Sequence, residues 1–345
     1  MRSQFKKQQQ SSTIIYGEPL AASLPTAALS GKHVLVVTNQ KYYDHFFDKI
    51  SRVLQSAEDL DWYIVTNQVY CNNLNGMMDL LSFLEKFPEN KEYLLIGFGN
   101  EGVMQLVGFL QQTIRMRGNY WTIPPSVRSL ASCLTAHSSI VKKGNQAILQ
   151  VKNLPEFIFY DQTISEGQKD GKLVDFLTLI RCGLVCDYPF LQNLYRNFPT
   201  SNQIENRSFT ALLQDVLRFY QETSVETFGS LFEQAFYETE NGHLLSANMK
   251  RLYGVIFQLL WSDCEVPLNF QLENFMKWLS HLGYPIHLPQ QLSLSEYCEN
   301  VVKLSQRTDA PIVLTAIGKI GGRKLPRDEA LIAMMQKYQQ ILNKI

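Results

Sequence analysis

The sequence predicts an α/β protein, with a parallel-sheet domain in its first half and a mostly helical domain in its second. Three observations lead to this prediction. Apolar runs alternate with helical patterns over residues 32–100, and helical patterns dominate from residue 162 onward. The chain of 345 residues is also longer than most single domains.

The alternation in the first half begins after residue 31 and keeps a regular order. The predicted strands are KHVLVVTNQ (32–40), DWYIVTNQ (61–68) and KEYLLIGFGN (91–100), in which apolar and β-branched residues run into turn residues. Residues 42–57 and 72–87 carry apolar residues at helical spacing. Uninterrupted apolar strands are typical of a parallel sheet covered by helices on both faces, so this half is expected to be Rossmann-like.

Three regions complete the predicted organisation. Residues 1–30 are polar and then rich in alanine, proline and serine, and we expect a frayed tail followed by an irregular segment or a short edge strand. Residues 31–161 form the Rossmann-like domain, which ends after the apolar run LPEFIFYD and before the polar stretch EGQKDG. Residues 162–345 form the helical domain, with one strand pattern at APIVLTAIG (310–318).

Composition argues against several partners and locations. The 32 basic and 32 acidic residues give a formal net charge of zero, which provides no overall attraction to nucleic acid or to an anionic membrane. No apolar run approaches the roughly 18 residues of a membrane-spanning helix, and MRSQFKKQQQSST lacks the apolar core of a secretion signal. The six cysteines form no CxxC pair, so neither a zinc knuckle nor a disulfide framework is indicated. We expect a cytoplasmic protein.

A glycine-rich turn follows the third predicted strand. Gly97, Gly99 and Gly102 have the spacing GxGxxG in IGFGNEGVMQLVGFL (96–110). Backbone N–H groups at the start of the next helix can bind a phosphate or the diphosphate of a dinucleotide. The acidic residue that usually follows about 20 positions later is missing. The turn therefore allows two interpretations, a nucleotide or phosphate site and a tight turn without a ligand.

The order of several motifs resembles that of 3-dehydroquinate synthase and its sugar phosphate cyclase relatives, over roughly residues 32–335. The matching segments are LVGF (106–109), RMRGNYWTIPPSVRSLA (115–131), LPEFIFYD (154–161), TLIRCGLVCD (178–187), FGSLFEQAFYE (228–238), GHLLSAN (242–248) and VLTAIGKIG (313–321). In that family the corresponding motifs include GGGVxGDxxGF, RGxxxxxxPTTLLAxxD, GxxExxKxGxxxD, NxGHTxGHAxE and HGExVxxG.

The resemblance implies a specific chemistry. Such enzymes bind NAD on the N-terminal domain and a divalent metal, usually zinc, between the domains, through a Glu and two His. They oxidise a hydroxyl of a seven-carbon keto acid phosphate, eliminate phosphate, reduce the carbonyl again and close a carbocycle.

Hydroxyl groups stand at the family's metal-ligand positions in this chain. The alignment places Thr178 at the ligating Glu and Arg181 at the active-site lysine. It also places Ser230 at the first His and Gln234 at the second His of the NxGHTxGHAxE motif, and Ser246 at the last His ligand. Zn²⁺ needs about four strong donors such as thiolate, imidazole or carboxylate, so tight zinc binding is not expected.

The resemblance also implies where a cofactor would bind. The implied NAD contacts are Gly97, Gly99, Asn100, Gly102 and Gln105, the last in place of the family's Asp. NAD therefore remains a candidate cofactor.

Further residues are candidates for binding or catalysis. Lys303 corresponds to a family lysine near the C-terminus and, with Arg181, is a candidate catalytic residue. Ser132 and Ser138 fall near the family's Asp and Lys, and His243 is a candidate displaced ligand. The basic residues that would surround an anion, if they do not form a solvated face or ordinary ion pairs, are Arg115, Arg117, Arg128, Lys142, Lys143 and Arg181.

Three functions are compatible with these residues. The first is a catalytically degenerate family member that binds a phosphorylated small molecule or nucleotide, or regulates as a homodimer or as the partner of an active relative. The second is an NAD-dependent, metal-independent sugar phosphate cyclase, lyase or dehydrogenase with altered chemistry. The third is an active 3-dehydroquinate synthase with an atypical site. Loss of the metal and of a titratable lysine favours the first, because the family reaction needs both an electrophile and a base.

Overall fold

The computed structural model describes residues 1–88, 91–115, 118–166, 171–223 and 225–345, and it divides into two compact units. Unit 1 comprises Met1–Gly171 and Phe209–Glu222, and unit 2 comprises Lys172–Ser208 and Thr223–Ile345. The predicted boundary lay after residue 161, whereas this division falls after residue 171 and adds residues 209–222 to unit 1. Residues 167–170 of the EGQKDG stretch lie outside the described residues.

A mainly parallel sheet forms the centre of unit 1. Within the described residues it has seven strands in the order β1-β2-β9-β6-β5-β3-β4, and only the β1–β2 pair is antiparallel. The strands of unit 1, including the separate β7–β8 hairpin, are β1 (Arg2–Lys7), β2 (Gln10–Tyr16), β3 (His33–Asn39), β4 (Asp59–Val65), β5 (Tyr93–Phe98), β6 (Gly118–Ile123), β7 (Ser138–Val141), β8 (Ala147–Val151) and β9 (Phe157–Tyr160). Its helices are α1 (Leu20–Ser23), α2 (Gln40–Val53), α3 (Leu74–Leu84), α4 (Glu101–Thr113), α5 (Val127–Cys133), α6 (Gln162–Ser165) and α10 (Leu213–Glu222).

The two central strands explain why the sequence signal was strong. Every residue of β3 and of β5 is buried, because helices cover both faces of a parallel sheet. Val34, Ile96 and Phe98 pack in one core with Trp121 and Phe159. The predicted α/β fold, with a Rossmann-like sheet in the first half, is confirmed.

The N-terminal segment differs from the prediction of an irregular stretch. Residues 2–16 form a β-hairpin, and β2 then extends the parallel sheet beside β9. Gln8 and Gln9 occupy the turn with φ of 49° and 67°, a conformation that usually selects Asn-Gly or glycine. The alternative of a short edge strand is closer to this structure, but the sequence did not indicate the hairpin because two glutamines give no turn signal and the strands carry many polar residues.

Asp161 fastens the end of β9 to neighbouring helices of unit 1. Its side chain has no exposed surface and lies 2.9 Å from Lys49 Nζ. The carboxylate accepts hydrogen bonds from the N–H of Leu20, at 3.0 Å, and of Thr163, at 2.8 Å. Burial acts to raise the pKa of Asp161, but these hydrogen bonds and Lys49 outweigh it, so the pKa lies below the ordinary value of 3.8.

Replacing Asp161 with Asn is expected to lower the free energy of unfolding by about 1.5–3 kcal/mol at neutral pH, since hydrogen bonds to a charged group are lost. Because the pKa of Asp161 is lower in the folded than in the unfolded chain, the ionised carboxylate stabilises the folded state at pH values above the unfolded-state pKa. This stabilisation is lost as the pH falls through the folded-state pKa. The difference between wild type and variant should therefore shrink in acid. Urea unfolding at neutral and at acidic pH measures this difference in the free energy of unfolding. The control is Asp215→Asn, at an exposed position. An equal effect of both substitutions would contradict the prediction.

Unit 2 is mostly helical, as predicted for the second half of the chain. Its helices are α7 (Lys172–Cys186), α8 (Tyr188–Asn197), α9 (Ser201–Asn206), α11 (Ser230–Glu238), α12 (Ala247–Glu265), α13 (Leu272–His281), α14 (Leu294–Ser305) and α15 (Asp328–Leu342). Strands β10 (Ile312–Ala316) and β11 (Lys319–Arg323) form a hairpin. Within the described residues, none of the helices combines the length and the apolar character needed to cross a membrane.

Helix α12 packs closely against the start of α11 and also contacts α7. Gly229 precedes α11 with φ of 92°, a conformation that favours glycine. Its carbonyl oxygen would lie 2.5 Å from a Cβ on Gly254, so a larger residue at 254 would push the two helices apart. The N–H of Gly229 donates to Gln258 Oε1 at 2.5 Å. This packing fixes the position of Ser230, the first residue of α11.

Candidate functional site

The glycine turn lies at the carboxyl end of β5, beside the carboxyl end of β3. Strand β3 has β4 on one side and β5 on the other, so the strand order reverses here. Open α/β sheets bind their ligands at such a reversal. The turn is therefore in the expected place for a ligand site in this fold.

Two asparagines organise the turn. Asn39 Oδ1 accepts from the N–H of Asn100 at 2.8 Å, and Asn39 Nδ2 donates to the carbonyl of Thr66 at 2.7 Å. Asn100 caps α4, because its Oδ1 accepts from the N–H of Val103 at 3.2 Å. Asn100 Nδ2 donates to the carbonyl of Gln68 at 2.8 Å. The loop after β4 is thus bonded to the start of α4.

Packing within unit 1 accounts for two of the three glycines. A Cβ on Gly99 would lie 2.5 Å from Asn39 Oδ1, and a Cβ on Gly102 would lie 2.6 Å from the Val69 carbonyl oxygen and 2.7 Å from Cys71 Sγ. All three distances are too short for an alanine at either position. Gly97 differs, since a Cβ there would make ordinary contacts of 3.5 Å with Val107. Chain packing therefore explains Gly99 and Gly102 without reference to a ligand, and it leaves Gly97 unexplained.

Glu101 is a buried acid that sequence reasoning did not single out. It is the first residue of α4 and is 7% exposed. Its Oε2 accepts from Arg128 Nε at 2.6 Å and lies 2.5 Å from Nη2 of the same guanidinium. The sequence signal that could have identified Glu101 is its position directly after the N-cap of a predicted helix. Arg128, one of the predicted anion-binding residues, is thus held in an internal ion pair.

Gln105 holds three segments of unit 1 together. Its Nε2 donates to Ser132 Oγ at 3.0 Å, and its Oε1 accepts from the N–H of Ser139 at 2.9 Å. Ser138 Oγ donates to Asn153 Oδ1 at 2.8 Å. Ser132 and Ser138, which fall near the family's Asp and Lys, are thus each bonded to another side chain of unit 1, and Gln105 connects α4, α5 and β7.

The other basic candidates in unit 1 lie in different surroundings. Arg115, Lys142 and Lys143 are exposed, the last two at the turn between β7 and β8. Arg117 lies outside the described residues. Within the described residues, Arg128 is therefore the least exposed basic side chain of this group in unit 1, with 12% of its side chain exposed.

The three hydroxyls at the family's ligand positions bond to the backbone of their own segments of unit 2. Thr178 Oγ1 donates to the carbonyl of Val174 at 3.2 Å, one turn earlier in α7. Ser230 Oγ donates to the carbonyl of Thr227 at 2.9 Å. Ser246 caps α12, since its Oγ accepts from the N–H of Met249 at 3.2 Å. These side chains act as local helix contacts.

This donor set does not fit a tightly bound zinc ion. Neutral hydroxyls are weak ligands beside imidazole and carboxylate. Among the described residues, no group of three or more His, Cys, Asp and Glu side chains is arranged to hold a metal. His243, the candidate displaced ligand, is exposed in the turn before α12. The chemistry of the residues, rather than the absence of an ion, supports this conclusion.

Arg181 and Gln234 are buried polar groups with unused bonding capacity. Arg181 Nη1 donates to Glu226 Oε2 at 2.9 Å, with the arginine side chain 3% exposed. Within the described part of the chain, Arg181 Nε and both ends of the Gln234 amide have no hydrogen-bond partner. Such groups are uncommon in folded proteins. Among the described residues of unit 2, Trp261 Nε1 and Glu265 Oε1 also have no hydrogen-bond partner, but they are not predicted site positions.

Two further buried cations follow the last ligand position on α12. Arg251 Nε lies 3.8 Å from Glu233 Oε2, and both side chains are almost fully buried. Lys250 Nζ donates to the carbonyl of Leu245 at 2.9 Å and lies 4.1 Å from the ring centre of Tyr237. Sequence reasoning missed them. Glu233 stands where the family motif has glycine, and Lys250 where it has valine, which was the available signal.

Lys303, the second candidate catalytic residue, lies on the surface of unit 2. Its side chain is 64% exposed, and its Nζ lies 3.6 Å from Glu299 Oε2 in the preceding turn of α14. A solvated pair of this kind does not hold the lysine in a fixed position. The structure therefore provides no reason to place Lys303 with Arg181.

Comparison with known proteins gives a consistent set of relatives. No protein-family model matches the chain. It is 22% identical over 302 residues to 3-dehydroquinate synthase of Listeria welshimeri, covering 84% of this chain and 82% of that protein. It is 23% identical over 326 residues to the Listeria monocytogenes enzyme, covering 90% and 88%.

Solved structures share the whole fold. A structure of 2-deoxy-scyllo-inosose synthase with carbaglucose-6-phosphate, NAD⁺ and Co²⁺ has a TM-score of 0.77, at 10% identity and 98% and 99% coverage. A structure of 2-epi-5-epi-valiolone synthase from Streptomyces hygroscopicus with NAD⁺ and Zn²⁺ has a TM-score of 0.78, at 12% identity and 97% and 98% coverage. An iron-containing alcohol dehydrogenase from Thermotoga maritima has a lower TM-score of 0.65. At these identities the structural likeness establishes the fold.

Proposed function

We propose that the chain is a divergent and catalytically degenerate member of the 3-dehydroquinate synthase and sugar phosphate cyclase family, and that it acts as a binding or regulatory protein. One observation carries this proposal. The hydroxyls of Thr178, Ser230 and Ser246 stand at the three metal-ligand positions, and each bonds to nearby backbone. A chain that uses these positions for helix contacts has given up the first coordination shell.

The physical consequence is a loss of electrophilic assistance. In the family reaction a divalent metal polarises the substrate's oxygen atoms, which contributes several kcal/mol to stabilising the transition state. Arg181 stands at the lysine position, and a guanidinium does not titrate near neutral pH. It is also engaged with Glu226. Neither a Lewis acid nor a proton-transfer group is left at these positions for oxidation, elimination and ring closure.

The place of action is part of the same proposal. We propose a cytoplasmic protein that works as a homodimer or as the partner of an active relative. A formal net charge of zero supports neither nucleic acid nor an anionic membrane as the partner. A phosphorylated small molecule remains the ligand class that the family relationship favours.

Phosphate release tests the proposed loss of catalysis. The purified chain is incubated with NAD⁺, Zn²⁺ or Co²⁺ and the seven-carbon keto acid phosphate, beside an active 3-dehydroquinate synthase. We expect phosphate release no faster than in the protein-free blank. Circular dichroism before and after the assay checks that the chain is folded. Metal-dependent phosphate release by this chain would refute the proposal and would favour an active enzyme with an atypical site.

A further inference from the structure

We infer that unit 1 carries its own anion at the start of α4, where the Glu101 carboxylate held by Arg128 replaces a bound diphosphate, so that the chain takes no dinucleotide. NAD⁺ is present in solved relatives, and the residues of this chain do not fit it. The inference is independent of the metal argument, because a protein can bind a dinucleotide without turning over substrate.

Side chains of unit 1 already use backbone N–H donors of the glycine turn. A helix begins with N–H groups that have no partner inside the helix, and these groups attract phosphates. In α4 the N–H of Val103 is used by Asn100 Oδ1, and the N–H of Asn100 is used by Asn39 Oδ1. Two donors of the turn are therefore bonded to side chains of unit 1.

The carboxylate of Glu101 places a negative charge at the start of α4. A carboxylate in the first turn of a helix is favourable, because it meets the positive end of the helix dipole. Glu101 occupies this position and is 7% exposed. Nε and Nη2 of Arg128 lie 2.6 and 2.5 Å from the same carboxylate oxygen of Glu101. A phosphate group approaching the turn would meet a like charge at close range, with the Arg128 guanidinium already bound to that charge.

Side chains and a neighbouring loop reduce the space for a ligand at the glycine turn. The family motif GGGVxGDxxGF leaves only hydrogen atoms at three successive positions. In this chain the second and third of these positions are Asn100 and Glu101, so two side chains have been added. The loop after β4 covers the next residue, since a Cβ on Gly102 would lie 2.6 Å from the Val69 carbonyl oxygen. Burial raises the pKa of the neighbouring Cys71 thiol to about 12, as expected for a closed, apolar environment.

Titration of the intact chain tests this inference. NAD⁺ and inorganic pyrophosphate are titrated by isothermal calorimetry at low ionic strength, up to millimolar concentrations. We expect no saturable binding by the wild type. The variant Glu101→Gln removes the internal anion and leaves Arg128 available, and it should bind pyrophosphate at least about tenfold more tightly than the wild type.

A control separates the local effect from net charge. Glu58→Gln makes the same change of charge at a 57% exposed position of unit 1, and it should behave as the wild type. Saturable binding of NAD⁺ by the wild type would overturn the inference, as would a Glu101→Gln variant that gains no more than Glu58→Gln. The wild-type titration decides the question even if Glu101→Gln does not fold. None of these outcomes depends on phosphate release, so this inference and the proposed loss of catalysis can fail separately.

Discussion

A chain that combines Thr178→Glu, Ser230→His and Ser246→His is expected to bind one zinc ion tightly. The change supplies a carboxylate and two imidazoles, the donor types that zinc prefers. The three positions lie on α7, at the first residue of α11 and at the cap of α12, and α12 contacts both other helices. We expect an increase in zinc affinity of at least about 10³-fold, which corresponds to about 4 kcal/mol.

Metal content after dialysis and competition with a chromophoric chelator measure this affinity. The matched control is Thr178→Gln, Ser230→Asn and Ser246→Asn, which introduces polar side chains with weaker donors. Ser246 caps α12, so its replacement by His should cost about 1 kcal/mol of stability, whereas Asn in the control can still cap the helix. Added zinc should therefore raise the melting temperature of the His variant only. One equivalent of zinc retained by the wild type, or equal zinc binding by the control, would contradict the assignment of these positions.

The sequence predicted the central part of the fold because burial on both faces leaves an uninterrupted apolar run. The run over residues 32–40 became β3, His33–Asn39, and the run over residues 91–100 became β5, Tyr93–Phe98. The hairpin of residues 2–16 had no such signal. Its β1 is an edge strand that alternates exposed and buried residues only in part, so local pattern alone did not distinguish it from a polar tail.

The strand pattern APIVLTAIG shows the same limit in unit 2. It was predicted as one strand over residues 310–318, and the structure has β10, Ile312–Ala316, followed by β11, Lys319–Arg323. Gly318, with φ of 79°, lies in the turn between them. All five residues of β11 are exposed, so hydrophobic periodicity provides no means of finding this strand.

The sequence showed which metal-ligand residues of the family are missing from the candidate site, but it did not show which charged residues have become buried there. A missing His or Glu is visible in a motif, and Thr178, Ser230 and Ser246 were identified in that way. Glu101 and Arg128 are 27 residues apart in sequence, and nothing in either local pattern indicates that they meet. Charged residues are assigned to the surface by default because buried ones need a partner, and partners distant in sequence become visible only in the fold.

Replacing Arg251 with Met is expected to lower the free energy of unfolding by about 3–5 kcal/mol, because it removes the cation beside a buried carboxylate. The side chains of Arg251 and Glu233 are 3% and 5% exposed, and their charged atoms lie 3.8 Å apart. Methionine keeps much of the side-chain length, so the change mainly removes charge. Urea unfolding followed by circular dichroism measures the effect, and Lys303→Met removes a cation from a 64% exposed pair in the same unit as the control. We expect that control to unfold as the wild type does.

The double variant Arg251→Met/Glu233→Met tests the physical reason. Removing both charges also removes the cost of burying them, so the double variant should recover most of the stability lost in Arg251→Met. If the arginine stabilised mainly through its aliphatic contacts, the second substitution would add a further loss. A double variant less stable than Arg251→Met would therefore show that packing dominates. Recovery would show that the buried carboxylate of Glu233 is tolerated because Arg251 accompanies it.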